Sequence, residues 1–164
     1  MPDPVTLKER LQTETIAAMR SGDTLRRDVL RMASNSVYLV EKREGRPLSQ
    51  DEELQVLGRE VKTRRESVDA FRAGGRTDLA DKEQAEIAIL SEFLPAALSE
   101  GELTALVGEG IAATGAASPR DMGKVMGWLA PRTRGRADGK HVSELVAQRL
   151  AAADLASHDT AGSH

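Results

Sequence analysis

Three times the chain places a Ser or Thr three residues ahead of a Glu, in front of apolar residues at helical spacing: Thr6 with Glu9, Ser49 with Glu52, and Ser99 with Glu102. In such a pair the hydroxyl accepts a first-turn amide while the carboxylate reaches back to the amide of the capping residue, so each pair marks a helix start. Nowhere do apolar and polar residues alternate over strand length, and no Asn-Gly hairpin turn occurs. A sheet therefore has no signal, and the fold class is all-α.

Reading onward from each start gives seven helices. The first carries Leu7, Leu11, Ile16 and Met19 and stops near Gly22; the second, capped by Asp23, carries Leu25, Val29, Met32, Val37 and Val40 and stops at Gly45 and Pro47. The third shows Leu54, Leu57, Val61, Val68 and Phe71 and ends at Gly74-Gly75, and the fourth opens at Thr77 with Leu79, Ile87, Leu90 and Phe93 inward until Leu94-Pro95. Pro disfavours helical backbone at the residue before it, so Pro95 ends the run. Beyond the hinge Pro95-Ala96-Ala97-Leu98, the fifth helix bears Leu103, Leu106, Val107 and Ile111 and closes at Gly115. Ser118-Pro119-Arg120-Asp121 combines an N-cap, a first-position Pro and an acid, and opens a short sixth helix with Met122, Val125, Met126 and Leu129, ending at Pro131. An Arg-rich loop leads to Asp138 and a seventh helix with Val142, Leu145, Val146 and Leu150. The expected organisation is a four-helix amino-terminal subdomain over residues 1–95, a three-helix carboxy-terminal subdomain over 99–152, and a disordered tail over 153–164.

Composition narrows the chemistry. Aromatic residues make up 2% of the chain, so the cores are filled by aliphatic side chains, which suits helix packing. Without Cys there is no disulfide, thiol nucleophile or thiolate zinc site. No run of 18 apolar residues exists to span a membrane, and Asp3, Lys8, Glu9 and Arg10 interrupt the start where a signal peptide needs an apolar stretch. The expected compartment is the cytoplasm.

No catalytic, metal or cofactor constellation stands out. His141, His158 and His164 lack a partner at ligand spacing, two of them falling in the tail. The carboxylates sit in first turns or beside Lys and Arg on helix faces, as solvated acids do. Ser67 and Ser143 have no neighbouring base, and the Gly-rich turns follow helices where a phosphate loop would follow a strand.

Charge is the exception. The net charge is −3, and residues 1–98 hold 16 basic against 18 acidic side chains, yet residues 119–150 hold seven basic against three acidic. Screening confines such interactions to about 10 Å, so a phosphate partner meets the local excess. Within it Arg120, Lys124, Arg132, Arg134, Arg136 and Lys140 flank two helix ends. In an extended loop the alternation of Arg132, Arg134 and Arg136 points three forked donors to one side, as a row for phosphates; the plain alternative is a solvated basic loop. Trp128 is the one nearby aromatic, so backbone and shape recognition fit better than base reading. A secondary basic run, Lys62-Thr63-Arg64-Arg65, interrupts the third helix's stripe, because an Arg falls three and four residues after Val61. Either an arginine stem packs there while its head reaches solvent or a carboxylate, or the run meets an interdomain acid or RNA phosphate.

The runs VLRM at Val29, TRRES at Thr63, AEIAILSEFLP at Ala85, SPRDMGKVMG at Ser118 and GRADGKHVSELV at Gly135 resemble the GatB/YqeY family, over roughly residues 6–150. Its members are helical proteins similar to the tail of the B subunit of glutamyl/aspartyl-tRNA amidotransferase. The resemblance implies a four-helix part followed by a three-helix tail, with tRNA as partner: in the amidotransferase the related tail grips the tRNA body while a separate domain, which this chain lacks, does the chemistry. Carried over position by position, Lys124, Arg134, Arg136, Asp138, Gly139 and Lys140 are the RNA-holding candidates. Three positions depart from the family pattern: His141 replaces an apolar residue, Thr63 a basic one, and Phe93 the commoner Tyr. The family label, a carbon–nitrogen ligase with glutamine as amide donor, finds no matching groups here. The expectation is thus a non-catalytic tRNA-binding accessory protein, with a component or regulator of an amidotransferase, in contact with its subunits, or a helical protein–protein adaptor as alternatives.

Overall fold

A computed structural model describes residues 4–162. Asp3 of the amino-terminal stretch and His164, with residues 1, 2 and 163, lie outside the described residues. Among the described residues there are no strands: α1 (Leu7–Ser21), α2 (Thr24–Glu44), α3 (Gln50–Ala73) and α4 (Thr77–Ser91) are followed by α5 (Glu100–Thr114), a 3-10 turn (Pro119–Asp121), α6 (Met122–Thr133) and α7 (Gly139–Ala161). No helix among them is long and apolar enough to cross a membrane. The chain divides into two compact units, Met1–Ala96 and Ala97–His164, each with its own core.

The caps form where the spacing places them. Thr6, Ser49 and Ser99 each accept the amide three residues on, and Glu9, Glu52 and Glu102 return the contact. Arg46 forks onto Glu52 at 2.9 Å from both nitrogens and, with Ser49, holds that carboxyl down at about 2. The α3 capping box therefore keeps its charge well into acid.

In the first unit α1 pairs with α2 and α3 with α4 around Leu11, Leu30, Leu57 and Leu90, which are fully buried. Burying a Leu or Val stabilises by roughly 1.5–3 kcal/mol, so these four outweigh any surface contact. Leu7, Leu11, Val29 and Val37 face inward as their spacing implies, but not every large side chain of α1 and α2 does. Ile16, Met19 and Met32 are about half exposed, whereas Ala18, Leu30 and Ala33 are buried. Arg26 on α2 ties the pair to the end of α4, bonding Glu14 at 3.1 Å and Glu92 at 2.7 Å.

The second unit packs α5, α6 and α7 around Leu103, Val107, Val125, Leu129, Val142, Val146 and Leu150. Two helix ends differ from the sequence expectation. Pro131 lies inside α6, which runs on to Thr133. So near the carboxy end a Pro forfeits only its own amide bond, and Thr133 Oγ1 adds a contact to the Leu129 carbonyl at 3.1 Å. Helix α7 continues to Ala161, through the segment whose small polar composition predicts disorder. Its Ala-rich sequence has high helix propensity without a stripe to bury, and Leu155 there is 70% exposed.

One buried acid stands apart. Glu53 on α3 is 4% exposed, and its Oε2 has no partner among the described residues. Burial pushes its carboxyl up, and Glu41 adds to this while Lys8 opposes it. An acid whose pKa is raised by folding favours the fold below its ordinary value of 4.5 and loses that contribution as pH rises through the raised value. Glu53→Gln, which keeps an acceptor and removes the charge, is expected to be more stable than the parent at pH 7 by about 1 kcal/mol in urea melts. The gap should narrow by pH 5; a variant less stable at pH 7 would show that the charge itself holds α1.

Candidate nucleic-acid interface

Lys124, Trp128 and Arg132 are spaced by four, so they share one face of α6. Trp128 is half-buried because α5 comes unusually close to it at Gly110. A Cβ on Gly110 would stand 2.9 Å from Trp128 Cε3, nearer than side chains tolerate. Glycine inside a helix costs about 1 kcal/mol relative to Ala, and here it makes room for the indole. Over the ring lies Arg132, its guanidinium carbon 3.7 Å from the centroid, while Nη1 donates to the Trp128 carbonyl. Arg132 remains exposed to solvent.

Lys124 is more loosely held. Its ammonium sits 3.7 Å from Asp121, and its side chain is 70% exposed. Asp121 is occupied by the backbone: the amides of Ala117 and Ser118 bond its Oδ2 at 2.9 and 3.4 Å and hold its carboxyl below the usual range, with Lys124 contributing less. Arg120, in the 3-10 turn just before α6, is exposed as well.

The stretch from Arg132 to Arg136 is not an extended loop, and its three arginines do not form a row. Arg132 belongs to α6, Arg134 caps it, and Gly135 at φ 69° turns the chain so that the Arg136 and Ala137 amides both bond the Thr133 carbonyl. Turn backbone of this kind fans successive side chains apart, where a strand would alternate them. Arg134 and Arg136 are half-buried and engage other groups of the chain, and the Arg136 carbonyl accepts from Leu98 at 2.9 Å. Asp138 accepts from the Lys140 amide at 3.3 Å to start α7, leaving the Lys140 side chain exposed. Next to it, His141 Nε2 meets Glu100 Oε1 at 2.6 Å, so this histidine bridges α7 to the start of α5.

The secondary basic run separates in the same way. Arg64 is buried, its side chain 7% exposed, with Nη1 2.7 Å from Glu60 and Nε 3.0 Å from Glu86 of α4. Burial works against its charge, but the two carboxylates outweigh that and raise its pKa. The partner acid lies in the same unit, and the guanidinium is turned inward, so Arg64 is not part of a surface patch. Lys62 is half-buried and already engaged within the chain, which leaves Arg65 exposed.

Sequence reasoning missed Gly110 and the stacking of Arg132 on Trp128. The four-residue spacing of Trp and Arg was the available signal.

Comparison with known proteins bears on the whole of this arrangement. A family model described as Yqey-like protein matches residues 8–150. The altered inheritance of mitochondria protein 41 of Pyrenophora tritici-repentis is 28% identical over 156 residues, spanning 92% of this chain and 84% of that protein. An uncharacterized protein of Schizosaccharomyces pombe is 43% identical over 42 residues, 26% of this chain and 34% of that one.

Removing one member of a buried ion network leaves its partners uncompensated. Arg64→Ala is expected to destabilise the chain by about 3 kcal/mol, read as a lower urea midpoint, with Arg64→Lys recovering only part because an ammonium cannot bridge both acids. Arg65→Ala should change stability by less than about 0.5 kcal/mol. Equal losses at the two positions would contradict the inward assignment of Arg64.

Proposed function

We propose that this chain, which belongs to the YqeY-like protein family, is a non-catalytic accessory protein that binds tRNA through the phosphate backbone. The observation that carries the reading is the local excess of positive charge on the second unit, where Arg120, Lys124, Arg132 and Lys140 stand exposed in a chain of net charge −3. Forked guanidinium and ammonium donors on helices suit phosphates, and the scarcity of aromatic side chains suits a partner recognised by shape. Arg134 and Arg136, half-buried in the turn between α6 and α7, belong to the same stretch of sequence. The reading assigns binding to the chain and no chemistry.

A second reading has its own observation. Ile16 and Met19 on α1 and Met32 and Leu39 on α2 are each 50–55% exposed, large apolar side chains of the kind that meet a partner helix. It supports an adaptor, or a component or regulator of an amidotransferase that acts by contact with its subunits; pull-down with those subunits separates this reading from the first.

Counterion release gives the tRNA reading a quantitative test. With about four phosphates neutralised, the logarithm of the association constant should fall with log salt at a slope of about −3 to −4. The combined variant Lys124→Glu, Arg132→Glu, Lys140→Glu should bind at least about 30-fold more weakly at low salt and respond to salt with a slope about three units shallower. A flat salt response in the parent, or unchanged affinity in the variant, would rule the reading out.

A further inference from the structure

We propose that Arg132 is a pre-set phosphate anchor, and that Trp128 and Gly110 are the positioning residues that hold it ready. The inference rests on the tRNA reading and concerns how one cation of that surface works.

Of the exposed cations on α6, Arg132 alone is fixed from two directions. The indole of Trp128 lies under its guanidinium, whose carbon is 3.7 Å from the ring centroid, and the Trp128 carbonyl takes a hydrogen bond from Nη1. Among the described residues no carboxylate stands within ion-pairing distance of Arg132. Stacking and one backbone bond use the flat face and one of five donors, so the rest of the planar fork stays open toward solvent in a set orientation. An arginine in this state has already lost most of its rotamer freedom. A phosphate arriving at it meets a donor pair that needs little further ordering, which is the source of affinity in a preorganised contact.

The indole can serve as a platform only because it is itself immobile. Its Cε3 and Cζ3 edge rests against the α5 backbone at Gly110, where an added Cβ would lie at 2.9 and 3.3 Å, and beside it Leu129 is fully buried. Support therefore runs from the core of the unit through Gly110 and Trp128 to the guanidinium. Lys124 is the contrast on the same face: roughly 12 Å away along the helix axis, it is a flexible point charge near Asp121. The pair thus offers one rigid and one adaptable contact to successive parts of a phosphate backbone.

Trp128 is the sole tryptophan of the chain, so its fluorescence reports the stack directly. In the free protein, Arg132→Lys should raise the acrylamide quenching constant of Trp128 by about two-fold, because the ring loses its cover. With unfractionated tRNA, Arg132→Lys keeps the charge and loses the set fork, so affinity should fall by about five-fold with the salt slope unchanged. Lys124→Arg should leave affinity within about two-fold. Gly110→Ala, which pushes the indole, should reproduce both effects of Arg132→Lys while circular dichroism shows the helices intact; if it unfolds, Arg132→Lys alone decides the matter. Parental affinity in Arg132→Lys, with a steep salt slope in both proteins, would overturn the anchor and leave the tRNA reading standing. A flat slope in the parent would overturn both, and unchanged quenching in Arg132→Lys would show that no stack exists to position anything.

Discussion

The structure depends on helices whose first-turn amides are met by side chains of their own sequence. Three capping boxes do this locally at Thr6, Ser49 and Ser99, and a fourth at Ser118 opens the 3-10 turn. With starts fixed this way, the aliphatic stripes need only find each other, and a chain with very few aromatic side chains still builds two cores. Glu53 on α3 is buried with a carboxylate oxygen that has no partner among the described residues. A local cap stabilises a helix wherever it sits, whereas the bond from Arg64 to Glu86 forms only when α3 and α4 are docked, which makes it a device of packing more than of helix formation.

This difference between local and tertiary interactions decides what was legible in the sequence. Helix starts were legible because hydroxyl, amide and carboxylate lie within four residues of one another. The edges of the buried stripe were not: Leu7, Leu11, Val29 and Val37 face inward as their spacing implies, yet Ala18 and Ala33 are buried while Ile16 and Met32 are half exposed. Composition misjudged the end of α7 for a related reason. A stripe is the mark of a helix that must be buried, and Ala151 to Ala156 form a helix on propensity with little to bury.

At the candidate interface the error came from the backbone. Alternation of Arg132, Arg134 and Arg136 makes a row only if the chain is extended, and nothing in the residue types reports that it is. Gly135 and the Thr133 carbonyl wrap the segment into a turn, so the three arginines take three different roles. Arg64 shows the same ambiguity in a helix. Its position in an apolar stripe was visible, and the stem does pack inward, but that Glu86 of another helix would be the acid waiting for it is a fact of tertiary structure.

Guanidinium groups enter this chain in two capacities, and the distinction matters more than their number. Arg26 and Arg64 each bond two carboxylates and join helices, so they spend their charge inside the fold. Arg132 spends only its flat face, on an aromatic ring and a carbonyl, and keeps its field outward. Stacking orders a cation without neutralising it, whereas an ion pair does both. A protein with an overall negative charge can present a fixed positive group to a phosphate partner only by the first route, since any carboxylate used to orient the cation would also cancel it at the distances over which screening allows the partner to respond.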